Sequence, residues 1–525
     1  LGGHPHIRRE VRDLQANYPD QWALYMLGLL QFQQVDQSDP LSYYRISGIH
    51  ARPFELWQDA HGPPGEAIGA YCPHGSRLFL TWHRAYLALF EQELWSHVRS
   101  IADQAQQDRD RWSAAADAFR IPYWDTALGD GDGGIPDFLM SPRWPVMGPN
   151  GTQIVDNPLF WYQFHPLVQE DFPGSPMAIY NQTMRWPTTQ DASAKPQVGL
   201  FNAWYLQDQR ARQNSMHTAF ALVTSFNEFS SNVEGSHAFI HIITGGDARE
   251  HNSYYGHMYD TGYSAFDPIF MLHHANYDRY MDLYITANPG SWLQPEYVDG
   301  IKNFSTFWSP VGTTIDASSG LPPFWKDENT FYTSEDVRRT DIFGYVYPET
   351  QYWKFATEEK WRNDVRGTIQ RLYPHSARET LMNAMAGGSA LTHVLEDGDT
   401  FIDWVIEIKA SAQEMPASFN AKFFLVGGFS SDESIPVSTW TRLTTQDPET
   451  SARKGREAAV AEKRYSTIDH GLSSTLILTS TLLEQVMAGE LESLDSDVVV
   501  PYLQERLRWK VYAVRRPFKR SQTEY

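Results

Sequence analysis

The segment AFDPIFMLHHANYDRY, residues 265–280, places two adjacent histidines, His273 and His274, inside an apolar run of helical period. A buried imidazole needs a polar partner or a metal ion to offset its lost hydration. Neighbouring residues on a helix point about 100° apart, so only one of the two rings can face a given site. The segment therefore predicts a core helix that supplies one histidine to a buried polar or metal site.

A second pair of histidines lies upstream, in SHAFIH at residues 236–241. His237 and His241 are four residues apart, so on a helix both rings project from one face and can share a metal ion. Such pairs also occur by chance in protein cores, and this pair alone gives only weak support for a metal site. Together with residues 265–280, it indicates one shared site.

A third histidine group lies in YCPHGSRLFLTWHRAYLALFEQE, residues 71–93. His74 is predicted on a loop, and His83 is predicted to open a helix whose Tyr86 and Phe90 point inward. His50 stands farther upstream in RISGIHARPFELW, and this context is equally consistent with an ordinary core or surface histidine. Local pattern alone leaves the role of His50 open.

The composition indicates a folded protein with two domains. The chain has 525 residues, of which 42% are hydrophobic, and this length exceeds what one compact core usually holds. The formal charge of -21 disfavours nucleic acid and anionic lipid as partners. No apolar run approaches the roughly 20 residues of a membrane-spanning helix. We therefore expect small-molecule partners, no nucleic acid and no membrane.

Hydrophobic periodicity differs between the two ends of the chain. QWALYMLGLLQFQQ, residues 21–34, predicts a core helix, and the Pro- and Gly-rich stretch from about 125 to 215 is interpreted as long loops. From about residue 400, apolar residues alternate with charged ones, as in a strand, and residues 507–513 alternate in the same way. A capping box formed by Thr481 and Glu484 predicts one helix within this β-rich tail.

The histidine segments resemble the two copper signatures of the tyrosinase and catechol oxidase family. The copper A pattern, a histidine followed by an aromatic residue, Trp-His-Arg and a later glutamate, is matched by His74, Phe79, Trp82, His83, Arg84, Leu87 and Glu91. The copper B pattern is matched by Asp267, Pro268, Phe270, Met271, His274 and Asp278. The resemblance extends to the N-terminal region, to IFGYVYPE around Tyr345 and Tyr347, and to the tail of long fungal members.

The resemblance implies a fold and its division into domains. We expect a mainly α catalytic domain over residues 1–350, with a dicopper centre in a helix bundle and long loops. A helical linker over 351–398 and a mainly β, sandwich-like C-terminal domain over 399–525 would follow. In long fungal members this domain shields the active site and keeps the enzyme latent. Family members also pair an N-terminal arginine with the tyrosine motif, and here an arginine of the RRE segment, Arg8 to Glu10, would do so.

The resemblance also implies two copper ions, each with three histidine ligands. Copper A is assigned to His50, His74 and His83, and copper B to His237, His241 and His274, with His273 as a neighbour of the ligands. Imidazole suits copper in both oxidation states, and three ligands leave one position open on each ion. The expected function is oxidation of o-diphenols to o-quinones by dioxygen, as in a polyphenol oxidase.

Three further residues are expected to set the choice of substrate. In the family, a glutamate three residues before the first copper B histidine, with an Asn or Asp directly after that histidine, orients a water that deprotonates a monophenol. This chain has Glu234 but Ala238, whose side chain cannot hydrogen-bond a water. We therefore expect stronger diphenolase than monophenolase activity. Thr261 occupies the position of the family's gate over copper A, and a small residue there should admit bulky phenols.

Cys72 is the only cysteine of the chain and lies two residues before His74. In many family members a cysteine so placed forms a thioether with the histidine ring, and we expect the same bond here. A lone buried cysteine is also commonly just a small apolar residue.

Three N-x-[ST] sequons, at Asn150, Asn181 and Asn303, predict N-glycosylation and, with it, a secreted protein. Melanin synthesis and phenol detoxification are both compatible with such an enzyme. The sequence sets neither the natural phenol nor the oligomeric state.

Three other functions are considered. A haemocyanin-like dioxygen carrier would use the same six ligands, and a full tyrosinase would also hydroxylate monophenols. A zinc hydrolase is disfavoured because the HExxH pattern with its general-base glutamate is absent.

Overall fold

The computed structural model describes residues 3–128, 134–246, 254–386, 391–395, 400–427, 434–444 and 471–514. The described chain is mainly helical up to residue 386 and mainly β beyond residue 400, which confirms the predicted fold class. Among the described helices, none has the length and apolarity needed to cross a membrane.

The helices are numbered in chain order. Their bounds are Val11–Asn17 (α1), Pro19–Gln33 (α2), Tyr43–Gly48 (α3), Phe79–Asp103 (α4), Arg109–Ala118 (α5), Asp137–Met140 (α6), Val198–Gln207 (α7), Gln209–Ala221 (α8), Phe226–Gly245 (α9), Ile269–Ala287 (α10), Glu358–Leu372 (α11), Ser376–Ala386 (α12), Thr479–Met487 (α13) and Ser496–Arg506 (α14).

The strands are numbered in the same way. Their bounds are His6–Ile7 (β1), Arg143–Gly148 (β2), Gly151–Asp156 (β3), Glu296–Tyr297 (β4), Thr314–Ile315 (β5), Gly320–Trp325 (β6), Phe331–Thr333 (β7), Tyr345–Val346 (β8), Val405–Ser411 (β9), Phe419–Val426 (β10), Ser434–Arg442 (β11), Gly471–Ile477 (β12) and Leu507–Ala513 (β13).

Helices α2, α4, α9 and α10 form the centre of the N-terminal domain. Helix α4 packs against α2 and α10, and α10 packs against α9. The predicted helix over residues 21–34 is confirmed as α2, which starts with Pro19 in its first turn, where the missing N–H is not needed. Helix α4 starts at Phe79, four residues before the predicted start, because Phe79 and Leu80 extend its buried face.

The stretch from 125 to 215, interpreted as loops, also contains the hairpin β2–β3, helix α7 and part of helix α8. The interpretation was therefore wrong in part. Helix α8 buries polar residues, among them Arg212, Gln213 and Asn214. Because the side of α8 that faces the protein is partly polar, it lacks the apolar period on which a sequence-based prediction depends.

The described part of the tail contains two small antiparallel sheets, one with strand order β11–β10–β13 and one that pairs β9 with β12. The predicted helix exists as α13, but it starts at Thr479, so Thr481 lies inside it and the predicted capping box is wrong. The side chain of Thr479 instead accepts a hydrogen bond from Trp404 N at 2.7 Å. A second helix, α14, contains Pro501 and was not predicted.

The described residues build two hydrophobic cores. The first runs from Val11 to Tyr373, and the second runs from Leu381 to Val499. The predicted linker divides between them, since α11 contributes Val365 to the first core and α12 contributes Leu381 to the second. Each domain thus buries its own apolar surface.

Helix α10 is held by charges at the middle of its length. Asp278 accepts hydrogen bonds from Tyr345 at 2.6 Å and from Arg8 at 3.1 Å, and it pairs with Arg84 of α4. The Arg8 guanidinium also lies 3.4 Å from the centre of the Tyr345 ring. Burial alone raises the pKa of Asp278, but Arg84 and Arg8 lower it below its usual range. These buried bonds fix the helix that carries His274.

Candidate metal centre

Six buried histidines meet between α4, α9 and α10. Helix α4 supplies His83, α9 supplies two histidines and α10 supplies His274, whereas the other two lie on loops. The two groups of three are adjacent, since the rings of His83 and His274 stack with centroids 4.1 Å apart. The histidines that the sequence analysis singled out are His50, His74, His83, His237, His241 and His274, and all are at most 2% exposed.

Three imidazole nitrogens converge at the copper B position. Nε2 of His237 lies 2.9 Å from Nε2 of His241 and 3.1 Å from Nε2 of His274. Nitrogens that each lie about 2 Å from one ion are about 3 Å apart, so this spacing fits a shared metal ligand set. The four-residue spacing on α9 brings the first two together, as predicted.

The rings of the three histidines assigned to copper A lie farther apart than those assigned to copper B. The ring centroid of His50 lies 5.3 Å from that of His74 and 5.8 Å from that of His83. Nε2 of His74 is buried and has no hydrogen-bond partner among the described residues. A buried ring nitrogen without a partner is costly unless a metal ion or a water binds it.

The backbone orients two of the rings. The Phe79 carbonyl lies 2.8 Å from Nδ1 of His83, and the Met258 carbonyl lies 2.8 Å from Nδ1 of His241. With Nδ1 donating, Nε2 keeps its lone pair and points into the site, which is the usual arrangement of histidine metal ligands. No sequence signal marks Met258 in this role, because a backbone carbonyl is offered by every residue.

All six rings are neutral near pH 7. Burial lowers the pKa of His83 to about 3 and that of His241 to about 4. For His50, His74, His237 and His274, burial and then the neighbouring imidazoles hold the pKa well below its ordinary value. Because a metal ion needs the unprotonated ring, these residues fit a bound copper ion in each group.

His273 lies beside the centre. Its ring stacks on that of His237 with centroids 4.9 Å apart and nearly parallel planes. Its ring nitrogens also come within the reach of a metal shared by the copper B histidines. Helical spacing predicts that only one of the two adjacent histidines faces the site, and the convergence of nitrogens selects His274.

Cys72 is fully buried against two of the histidines assigned to copper A. Its Sγ lies 3.0 Å from Nδ1 of His74 and 3.5 Å from Nε2 of His83. Burial, and then the charge of Glu234, raise the pKa of its thiol well above the ordinary value, so it is not an ionised thiolate. The sulfur is nevertheless in contact with the His74 ring.

Glu234, Ala238 and Thr261 all border the centre. Gly75 N–H donates to Oε1 of Glu234 at 2.6 Å, which links this carboxylate to the loop that carries His74. Burial raises the pKa of Glu234 to about 7, although the Gly75 N–H, Arg442 and Arg77 each lower it. Ala238 follows His237 and is 1% exposed. Thr261 is also buried, and its hydroxyl donates to the Thr444 carbonyl at 2.9 Å.

The C-terminal domain therefore lies directly on the candidate site. Strand β11 packs along α9, where a Cβ at Gly235 would lie 3.4 Å from the Thr441 carbonyl. Arg442, at the end of β11, hydrogen-bonds the carbonyl of Lys302 in the N-terminal domain. Sequence reasoning missed Arg442, because it is one of many arginines and no local pattern marks it.

The three sequons differ in exposure. Asn150 and Asn181 are exposed on the surface. Asn303 is only 8% exposed, and its Nδ2 donates to the Tyr297 carbonyl at 3.0 Å. The amide nitrogen of Asn303 that would carry a glycan is thus already used inside the fold.

Comparison with known proteins gives a consistent result. Residues 40–287 match the family model described as the common central domain of tyrosinase, and residues 403–524 match that of the tyrosinase C-terminal domain. The chain is 31% identical to a tyrosinase of Podospora anserina, over 92% of this chain and 93% of that protein. It is 29% identical to a tyrosinase of Neurospora crassa, over 96% of this chain and 88% of that protein.

A solved structure is also similar over nearly the whole length. A structure described as latent and active mushroom tyrosinase superimposes with a TM-score of 0.78 at 25% identity. The similarity covers 98% of this chain and 90% of that one, so both domains have counterparts there.

Proposed function

The chain belongs to the tyrosinase family of copper oxidoreductases, and from that premise we propose that it is a polyphenol oxidase that oxidises o-diphenols to o-quinones with dioxygen. The observation that carries this proposal is the pair of buried, neutral histidine groups with a methyl side chain, Ala238, beside the first copper B histidine. We propose two copper ions per chain, held by His50, His74 and His83 and by His237, His241 and His274.

When bound, such a copper pair supplies the redox chemistry that lets dioxygen accept two electrons from each catechol. The protein contributes the neutral imidazoles and excludes water by burying all six of them. Removal of copper should abolish turnover, and metal analysis should find two copper ions per chain. Replacement of His241 by Gln should reduce that number.

The proposed preference for diphenols rests on Glu234 and Ala238. A monophenol must lose its proton before it is hydroxylated, and a positioned base typically contributes 10²- to 10⁴-fold to such a step. Glu234 has a pKa of about 7, which suits a base. The methyl group of Ala238 cannot hold a water between this base and the phenol.

The test of this preference compares 4-methylcatechol with 4-methylphenol in the copper-loaded protein. We expect kcat/KM for the monophenol to be lower by at least about 10²-fold. Ala238→Asn should raise monophenol turnover selectively, and Ala238→Val is the matched control that adds bulk without a hydrogen-bonding group. Equal turnover of both substrates by the wild-type protein would favour the second candidate function, full tyrosinase, which the pKa of Glu234 supports.

We propose a thioether between Cys72 and the ring of His74. The contact of 3.0 Å between sulfur and ring supports it. Formation of the S–C bond removes one hydrogen from the thiol and one from a ring carbon, and dioxygen takes up both hydrogens with their electrons and is reduced to hydrogen peroxide. The intact mass should then lie two hydrogens below the sequence mass, whereas a thiol that reacts freely in the denatured protein would exclude the bond.

We also propose that the C-terminal domain keeps the enzyme latent and that the protein is secreted. The contact of Thr261 with Thr444 supports a covered entrance in the intact chain. Limited proteolysis between α12 and β9 should raise catechol turnover several-fold, and unchanged turnover after clean removal of the tail would contradict latency.

Recovery of the glycosylated protein from the culture medium would test secretion, and pigment formation in the source organism would test a role in melanin synthesis.

A further inference from the structure

Arg442 is a cation from the C-terminal domain that lies half-buried against the N-terminal one. It ends strand β11, and its guanidinium hydrogen-bonds the carbonyls of Lys302 and, at 3.4 Å, Ile301. Burial lowers the pKa of Arg442 to about 10, so the group is still charged at neutral pH. A charge that has lost part of its hydration needs compensation, and the surroundings supply it.

The compensation comes from an aromatic ring and two carboxylates. The Arg442 guanidinium lies 4.2 Å from the centre of the Phe304 ring, within the range of a cation–π contact. Glu234 and Asp299 are the acidic groups that raise the pKa of Arg442 against the effect of burial, while Arg77 opposes them. Asp299 is 4% exposed and is fixed by backbone N–H groups that include Ile301 N at 2.7 Å.

This cation site adjoins both histidine groups. Phe304 packs on the residue that follows His74, since a Cβ at Gly75 would lie 2.5 Å from the Phe304 ring. The N–H of Gly75 donates to Glu234, and Glu234 lies one helical turn before His237. The ring, the carbonyls and the carboxylates all belong to the N-terminal domain, so they stay with it when the C-terminal domain is removed.

We propose that this site, here called the Arg442 site and formed by Phe304, Asp299, Glu234 and the carbonyls of Ile301 and Lys302, binds the ammonium group of the substrate once Arg442 has left. The proposal rests on the proposed function, because it names the substrate class of that same centre. The preferred substrates are catechols with a short, positively charged amine side chain.

The chemistry of the Arg442 site explains the selectivity. An ammonium group can donate to the two carbonyls and lie over the Phe304 ring, as the guanidinium does. A carboxylate at the same place would face Glu234, Asp299 and the negative face of the ring. In the intact chain, Arg442 fills the site and competes with the amine.

The first experiment tests the cation site without copper or turnover. In copper-free, full-length Arg442→Ala protein, ethylguanidinium should replace the missing group and raise the melting temperature by about 1 to 2 °C. The matched control is Lys422→Ala, which removes another cation of the C-terminal domain, one that lies 4.5 Å from the Trp204 ring. Neither Lys422→Ala nor the wild type should respond.

An equal change in melting temperature in all three proteins on addition of ethylguanidinium, or no change in any of them, would overturn the proposed site. If Arg442→Ala does not fold, Arg442→Met takes its place in the same comparison. The double variant Arg442→Ala and Phe304→Leu should lose the response, because it removes the ring from the site.

The second experiment measures selectivity in copper-loaded protein from which the tail has been removed by limited proteolysis. The substrates are 4-(2-aminoethyl)catechol, 3-(3,4-dihydroxyphenyl)propionate and, as the neutral reference, 4-ethylcatechol. We expect kcat/KM for the amine to exceed that for the acid by about tenfold or more. Equal values, or a preference for the acid, would overturn the proposal.

A pair of charge-neutralising variants assigns the effect to the Arg442 site. Asp299→Asn should lower the ratio of amine to acid several-fold. The control is Asp327→Asn, because Asp327 also accepts backbone N–H groups in a turn, from Asn329 and Thr330, but lies outside the Arg442 site. If no catechol is oxidised, the substrate assignment falls with the proposed function, and the first experiment still decides whether the cation site exists.

Discussion

At the scale of single residues, burial decides how the ionisable groups behave. The six histidines are neutral because their rings are buried and crowd one another, and Glu234 is a weak acid for the same reason. In each case the surroundings disfavour the charged form of the side chain. Such perturbed groups are expected to be concentrated at a functional site.

Asp282 shows the same effect away from the six histidines. It is 5% exposed, and its Oδ2 has no hydrogen-bond partner among the described residues. Burial raises its pKa to about 6, although Arg84 and Thr350 lower it. The folded state thus binds this proton more tightly than the unfolded state, so stability falls as the pH rises through the range between the two pKa values.

Asp282→Asn should therefore stabilise the protein at pH 8, by about 1 to 3 kcal/mol, and the gain should vanish below about pH 4. Calorimetry of the variant and the wild type at several pH values from 4 to 8 measures this difference in the free energy of unfolding. Asp316→Asn is the opposite control: the Ser318 hydroxyl bond lowers the pKa of Asp316, so this variant should lose stability at neutral pH and none in acid. A pH-independent difference for Asp282→Asn would contradict the argument.

The exposure of the sequons gives a second prediction at this scale. If the protein passes through a glycosylating secretory route, peptide mass spectrometry should find glycan at Asn150 and Asn181 and none at Asn303. The buried side chain of Asn303 donates to the Tyr297 carbonyl, and a glycan on that nitrogen could not be accommodated. Occupancy at Asn303 in active protein would contradict the observed packing.

At the scale of elements, α10 depends on buried ion pairs. Asp278 connects this helix to Arg8 near the N-terminus, to Arg84 of α4 and to Tyr345 of β8. The position of His274 one turn earlier depends on these bonds, because they fix the rotation of the helix. Breaking one partner of a buried pair leaves the other charge uncompensated.

Asp278→Asn should lower the stability of the N-terminal domain by about 3 to 5 kcal/mol and reduce the copper content. The melting temperature and metal analysis of the same preparation measure both effects. Asp103→Asn, which breaks an exposed pair with Arg99 on α4, should change neither. An unchanged melting temperature of the Asp278 variant would mean that packing alone fixes the position of α10.

Sequence patterns predicted elements well where the buried face is apolar. Helices α2 and α10 and strands β9 and β13 are present close to the expected positions. The patterns failed for α8, which buries polar residues, and for the start of α13, where Thr479 contacts the segment around Asp403 instead of Thr481 capping the helix. In both cases a tertiary contact replaces the local signal.

At the scale of the whole molecule, the described residues form two separate hydrophobic cores, and strand β11 of the C-terminal domain packs along α9 beside the candidate metal centre. Copper would bind only to histidines of the first core, so it should stabilise that domain by mass action. The interface adds contacts such as that between Thr261 and Thr444. The two domains thus contact each other beside the site, but each keeps its own hydrophobic core.

Calorimetry of the copper-loaded protein should therefore resolve two transitions. Removal of copper with a chelator should lower the transition of the N-terminal domain by several degrees and leave that of the C-terminal domain nearly unchanged. A single transition that shifts as a whole would show that the interface, rather than the separate cores, controls unfolding.

Helical spacing and apolar period are local properties of the chain, so they were enough to predict the fold class, the α and β parts and the paired histidines of α9 and α10. The role of His50 came only from the family resemblance. Only the tertiary structure decided which ring nitrogens converge, that Asn303 is buried and that Arg442 lies between Phe304 and the carbonyls of Ile301 and Lys302. These features join residues on different elements, such as His237 with His274 and Arg442 with Phe304, or depend on burial. Local sequence carries no signal for such contacts, since they exist only after both domains have packed.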